Sequence, residues 1–162
     1  MRELTSARPP EPGPAEHRRG GPSGEPVVIY ADFTCPQCAL ASLKLRESGV
    51  ETIFRHMAIS SRHRRAVAVA EAVEAAGQQG FFWEFHDLLF EDQGRLDDPH
   101  LWDRCRTLGI DIDRFEQDRR APAGAERVRG QTAEALRAGA TGTPSFLVGG
   151  ILTDELPASV FG

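Results

Sequence analysis

A chain of 162 residues, 40% of them hydrophobic, is long enough to bury a core of its own as one domain without disulfide or metal staples. A formal net charge of -5 leaves no broad basic field, so no nucleic-acid partner is expected. No apolar run reaches the ~18 residues of a membrane span, and the opening residues lack the apolar centre of a secretory leader, so no membrane insertion and a cytoplasmic location are expected.

Residues 1–25 are rich in Pro, Gly, Arg and Glu and nearly free of large apolar side chains, so burial cannot repay the entropy of ordering them. A flexible tail is expected there. Residues 26–60 carry the first part of an α/β unit. Pro26 to Phe33 is a short, nearly continuous apolar run rich in β-branched residues, the pattern of a central strand covered on both faces. It leads straight into Thr34-Cys35-Pro36-Gln37-Cys38. From Pro36 to about Ser48, the spacing of Leu40, Leu43 and Leu45, with Lys44, Arg46 and Glu47 outside, predicts an amphipathic helix that tolerates Pro36 in its first turn and ends at Gly49. Val50 to Met57 alternates in polarity like a second strand. The result is a β-α-β unit with parallel strands and both thiols at the carboxyl end of the first.

Residues 61–138 read as helix in four or five segments, punctuated by Gly77, Gly94, Gly109 and Pro122. Phe81, Phe82, Trp83 and Phe85 fall at helical spacing and are read as core rather than as a substrate surface, as are His86, Trp102 and Cys105. The arginine-rich stretch Ser60 to Arg65 is read as a solvated helix start and given no role. Residues 139–162 return to strand character in Pro144 to Val148 and, after the Gly149-Gly150 turn, in Ile151 to Thr153.

The chain has three cysteines, too few for a disulfide framework in a reducing compartment, so the C-x-x-C pair is read as catalytic or metal-binding. If the helix begins at Cys35, that sulfur lies beside unpaired backbone N–H groups and the positive end of the helix dipole. This favours a thiolate over the thiol that dominates at a free-cysteine pKa of about 8.5. Cys35 is then the nucleophile. Cys38, one turn deeper on the same face, is the resolving thiol that attacks a mixed disulfide at Cys35. Zinc would need four ligands, and Cys105, His56, His63, His86 and His100 are scattered with no second close pair, so no metal is expected. Ala140 to Phe146 (ATGTPSF) puts Pro144 at a strand start, by itself an ordinary place for a proline.

Taken together, Asp32-Phe33-x-Cys35-Pro36-x-Cys38, the stretch Phe81 to Phe90, Leu108-Gly109-Ile110 before Asp113-Arg114-Phe115, and Gly142-Thr143-Pro144-Ser145-Phe146 resemble the DsbA-like branch of the thioredoxin superfamily over roughly Glu25 to Leu152. The resemblance implies an α/β thioredoxin-like fold with an inserted helical subdomain. It implies a cis Pro144 packed against the thiol pair, with Thr143 helping to set the redox properties and offering its backbone as an edge to an extended substrate, and Pro36 and Gln37 tuning the potential from between the thiols and joining Thr143 in substrate binding. It also implies a thiol-disulfide oxidoreductase needing no cofactor beyond the Cys35–Cys38 disulfide. Its partners would be protein or small-thiol disulfides and a recycling reductant or oxidant. Gln37 carries no positive charge, so an intermediate potential is expected. Many relatives have a buried acid six positions before the nucleophile where this chain has Ile29. Asp32 is read as a solvated or helix-capping strand-end residue in preference to a proton relay. The alternatives are a kappa-type glutathione transferase or isomerase, which usually has serine at the nucleophile position, and a non-enzymatic regulatory module of the kind fused to membrane transporters.

Overall fold

The computed structural model describes residues 7–22 and 24–161. In chain order these form β1 (His17–Arg19), β2 (Val27–Ala31), α1 (Pro36–Ser48), β3 (Thr52–His56), α2 (Ala66–Gln78), α3 (Phe82–Glu91), α4 (Asp98–Leu108), α5 (Ile112–Arg120), α6 (Pro122–Arg137), β4 (Ser145–Val148), β5 (Ile151–Thr153) and a closing 3-10 turn (Ala158–Phe161). The strands make one mixed sheet in the order β1-β3-β2-β4-β5. β2 and β3 are parallel, from Val27 opposite Thr52 to Ala31 opposite His56, as the crossover through α1 requires. β4 is antiparallel to β2, with Phe146 opposite Ile29. Five helices lie between β3 and β4 in sequence, so the sheet is completed only near the end of the chain.

The central strand is apolar along its length because both of its faces are covered. Val27, Ile29 and Ala31 join Phe33, Phe54 and Phe146 in the larger core, with Ala41 and Leu45 of α1, Val69 and Val73 of α2, Phe85 and Leu89 of α3, Leu101 and Cys105 of α4 and Phe115 of α5. Val28 and Tyr30 face the other way, toward Ile53, Met57, Leu147 and Ala135 of α6. The aromatic residues of α3 divide as helix geometry demands. Phe82 and Phe85 are buried, whereas Trp83 is half-buried beneath the Arg19 guanidinium and donates its indole N–H to the Arg18 carbonyl at 3.0 Å.

Three expectations need correction. The segment read as a flexible tail contains β1, antiparallel to β3, with His17 opposite Phe54. Ion pairs of Glu16 with Arg55 and of Arg19 with Asp87 at 2.9 Å, and a hydrogen bond between His17 Nε2 and Glu74 at 2.8 Å, hold it. The first six residues of that segment and Ser23 lie outside the described residues. Second, Leu40 and Leu43 do not face the core; they are 61% and 50% exposed. The buried stripe of α1 is Cys38, Ala41, Ser42 and Leu45, the spacing of 3, 4 and 7 that a period of 3.6 selects. Third, β3 does not alternate in exposure, because every residue from Thr52 to His56 is buried. Arg55 is tolerated there because Glu16, the Tyr30 hydroxyl (2.8 Å) and the Pro10 carbonyl (2.8 Å) satisfy its guanidinium.

Candidate active site

β2 ends at Ala31, and a tight turn carries the chain into α1. Asp32 is buried and builds that turn: its Oδ1 accepts the Thr34 backbone N–H at 2.8 Å and the Thr34 hydroxyl at 2.7 Å, while its carbonyl accepts the Cys35 N–H at 3.1 Å. This corrects the expectation of a solvated or helix-capping Asp32: the carboxylate is buried and occupied in shaping the approach to the helix, and the cap is Cys35 itself. Asp followed two positions later by Thr is a sequence signal for such a turn.

Cys35 is the residue that caps α1, with extended backbone (φ -94°, ψ 118°), and Pro36 follows in the first turn, where a missing N–H costs nothing. In this position the sulfur takes the place of a capping oxygen: Cys35 Sγ accepts the Cys38 backbone N–H at 3.2 Å. From the far end of the chain, the Thr143 carbonyl oxygen lies 3.6 Å from the same sulfur, and the Thr143–Pro144 peptide bond is cis. The Gln37 side-chain oxygen stands 4.0 Å away. The loop bearing Thr143 is itself held, by Arg62 Nη2 donating to the Thr141 carbonyl at 2.9 Å and Ser145 Oγ donating to the Gly142 carbonyl at 2.6 Å.

The two thiols have unlike surroundings. Cys35 is half-buried and its pKa is brought down to about 6. The hydrogen bond from the Cys38 side chain contributes most. Burial opposes it, and the Thr143 side chain and the Cys38 and Gln37 backbone groups add to the lowering. Cys38 is fully buried and is pushed far up, first by burial and then by its hydrogen bond to Cys35. One sulfur is thus poised as a thiolate and its neighbour held as the proton donor. Cys105 is buried in the core, where burial lifts its pKa to about 11, so it is an inert packing residue.

The structure brings Cys35, Cys38, Pro36, Gln37, Thr143 and Pro144 together at the carboxyl end of β2 and the start of β4. Ile29 is buried among apolar residues six positions before Cys35. His86 packs against Phe33, Phe54, Phe82, Trp83 and Phe90, and burial brings its pKa down to about 4. Beside it, Asp87 receives Arg19 from β1 at 2.9 Å and Arg46 from the last turn of α1 at 3.1 Å, which fixes the helix that carries the thiols. The cluster Ser60 to Arg65 lies in turns before α2 and is exposed at Arg62, His63 and Arg64.

One residue here had no sequence signal. Gln93, in the loop between α3 and α4, donates its side-chain amide to the Phe33 carbonyl at 3.0 Å and the Cys35 carbonyl at 2.9 Å. A glutamine in a loop with no periodicity, bonding only to main-chain oxygens, leaves nothing in the sequence to find it by.

The arrangement has counterparts among known proteins. The family model for the DSBA-like thioredoxin domain matches residues 46–162, a stretch that begins after the thiol pair. A thioredoxin-like oxidoreductase from Silicibacter pomeroyi DSS-3 superposes with a TM-score of 0.78 at 27% identity, covering 87% of this chain and 84% of that one. The thiol-disulfide exchange protein alpha-DsbA2 from Wolbachia pipientis shares the fold, with a TM-score of 0.76 at 20% identity over 87% of this chain and 80% of that one. A curated relative is the Na(+)/H(+) antiporter NhaA 1 of Salinispora arenicola, 38% identical over 142 residues that make up 83% of this chain and 22% of the antiporter. Another is the Na(+)/H(+) antiporter NhaA of Herminiimonas arsenicoxydans, 34% identical over 88% of this chain and 24% of its own length. The chain therefore spans about a quarter or less of the curated relatives it matches. By its family match, its mixed five-stranded sheet and its helices inserted between β3 and β4, the chain belongs to the DSBA-like thioredoxin domain family.

Proposed function

We propose that the chain is a thiol-disulfide oxidoreductase in which Cys35 attacks and Cys38 resolves. The observation that carries this reading is the Cys35 sulfur at the mouth of α1, 3.2 Å from the Cys38 N–H, above a fully buried partner thiol. In the reducing direction the Cys35 thiolate attacks one sulfur of a substrate disulfide. A Cys35–substrate bond forms as the substrate S–S bond breaks, and the other substrate half leaves as a thiolate. Cys38 then loses its proton to water and attacks Cys35 Sγ. The second substrate thiolate departs, leaving the Cys35–Cys38 disulfide and a substrate reduced by two electrons. The oxidising direction is the same path reversed. No other cofactor is invoked.

Thr143, beside the nucleophile and just before β4, offers main-chain groups to an extended substrate. Gln37 adds no positive charge near the sulfur, which argues for an intermediate potential, each ~30 mV being a factor of ten in the two-electron equilibrium. Insulin reduction by dithiothreitol tests the reading. Cys35→Ser should abolish catalysed turnover, and Cys38→Ser should accumulate mixed disulfides at Cys35. Turnover equal to the parent in both variants would reject it.

The curated relatives favour a second reading, a redox-sensing module of an ion transporter, since both are named as antiporters and match this chain over a minor part of their length. It predicts that oxidation and reduction of the Cys35–Cys38 pair alter ion exchange by a transporter joined to the module. It fails if ion exchange is the same in both redox states.

A further inference from the structure

We propose that Gln93 is a positioning residue for the nucleophile, the tip of a strut running from the helical insertion to the active-site turn; this rests on the reading of Cys35 given above. The two oxygens that Gln93 meets, of Phe33 and Cys35, are carbonyls and can only accept. The side-chain NH2 must therefore face them, each of its hydrogens directed at one oxygen. Phe33 is anchored, fully buried and packed on Phe54 and Phe90 with ring centroids 5.2 and 4.8 Å away. The Cys35 carbonyl is less constrained, since its other partner is the Ala39 N–H of the first helical turn at 3.3 Å. By bridging the two, Gln93 ties the Phe33–Thr34 peptide plane to the Cys35–Pro36 plane, across Thr34 and Cys35. It thereby fixes the backbone angles at Cys35 that point its sulfur at the Cys38 N–H.

The strut has its own support. Arg104 of α4 is 8% exposed and pairs with no carboxylate among the described residues. Its guanidinium is spent on carbonyls: Asp92 at 2.8 Å, Arg95 at 2.6 Å and His100 at 3.2 Å. Asp92 precedes Gln93 and Arg95 lies two positions after it, so a buried cation holds the loop on both sides of the amide. Burying a guanidinium is costly unless hydrogen bonds satisfy it, and here the three carbonyls do so only while the loop keeps this conformation. Here it makes the loop rigid where the loop touches the active-site turn.

The test replaces Gln93 with Met, which keeps length and volume but donates nothing, and separately with Glu, whose carboxylate would face the two carbonyl oxygens. The readouts are the thiolate absorbance of Cys35 against pH, its alkylation rate at fixed pH below the titration midpoint, and thermal unfolding. Both variants should raise the midpoint by roughly half to one pH unit and slow alkylation about threefold to tenfold. A midpoint and alkylation rate equal to the parent in both variants would overturn the strut, whatever happens to thermal stability. A parent whose Cys35 titrates like a free cysteine would instead overturn the underlying reading, and the strut with it.

Discussion

The Thr143 carbonyl oxygen and the Cys35 sulfur stand 3.6 Å apart although 108 positions of chain separate them. The contact exists because β4 pairs with β2, so the residue before Pro144 arrives beside the residue that follows β2 into α1. The surroundings of Cys35 are therefore built from the first turn of α1, which it caps, and from two remote segments, the loop before β4 and the loop after α3.

The groups that lower the Cys35 pKa can be ranked. The Cys38 side chain acts most strongly among them and the Thr143 side chain comes next. Replacing Cys38 with Ala should raise the Cys35 titration midpoint more than replacing Thr143 with Val, and both should leave it above the parent value of about 6. Thiolate absorbance followed against pH checks the order. A larger rise in Thr143→Val would show that the loop before β4, and not the partner thiol, controls the Cys35 thiolate.

Differential alkylation separates the three thiols without any substitution. At neutral pH in the native reduced protein, a maleimide should modify Cys35 quickly. Cys38, buried and held protonated, and Cys105, buried with its pKa lifted to about 11, should react only on unfolding. Mass spectrometry should find a single rapid adduct, and peptide mapping should place it at Cys35. Rapid labelling of Cys105 would contradict its burial in the core.

The features that could be read from the sequence are those whose residue types carry their own chemistry. Two thiols three apart after an apolar strand announce themselves locally, and the proline at a later strand start gains meaning only beside them. β1 did not, because His17, Arg18 and Arg19 are polar and the partners that order them, Glu74, Glu51 and Asp87, lie 33 to 68 positions away. Leu40 and Leu43 are apolar but out of phase with the buried face of α1: the phase set by Cys38, Ala41 and Leu45 turns them outward. Gln93 could not be found, since backbone carbonyls are the same whatever the side chains that carry them.

Arg55 makes the ordering of β1 testable. Its guanidinium is almost fully buried against Glu16 and the Tyr30 hydroxyl, and Glu16 is itself mostly buried. Arg55→Ala leaves that carboxylate without its partner and opens a gap in β3, so it should cost about 3 kcal/mol or more in denaturant unfolding. Pairing Arg55→Met with Glu16→Gln removes both charges and refills the space, and should recover most of that loss. Loss of stability equal to that of Arg55→Ala in the double variant would mean that the cation, rather than the unpaired carboxylate, is what β3 needs.

Between about pH 4.5 and 9, Cys35 and His86 tie stability to pH in separate windows, while Glu74, Asp87 and Asp98, held below the usual carboxylate range, act at lower pH and the buried Cys38 and Cys105 at higher pH. Cys35 has an ordinary value of 9.0 and a folded value of about 6, so over that range the unfolded chain of the reduced protein binds the extra proton. Its contribution is complete above pH 9 and is lost as the pH falls toward 6. His86 has an ordinary value of 6.5 and a folded value of about 4, because burial disfavours the imidazolium despite Asp87 at 2.8 Å. Again the unfolded state binds more protons, now between about 6.5 and 4, and stability falls with pH through that lower window by no more than about 3 kcal/mol. Urea unfolding of reduced Cys35→Ser should lose the slope above pH 6 and keep the one below it, and His86→Phe should do the reverse. A Cys35→Ser protein whose stability still climbs between pH 6 and 9 would show that Cys35 is not the group titrating there.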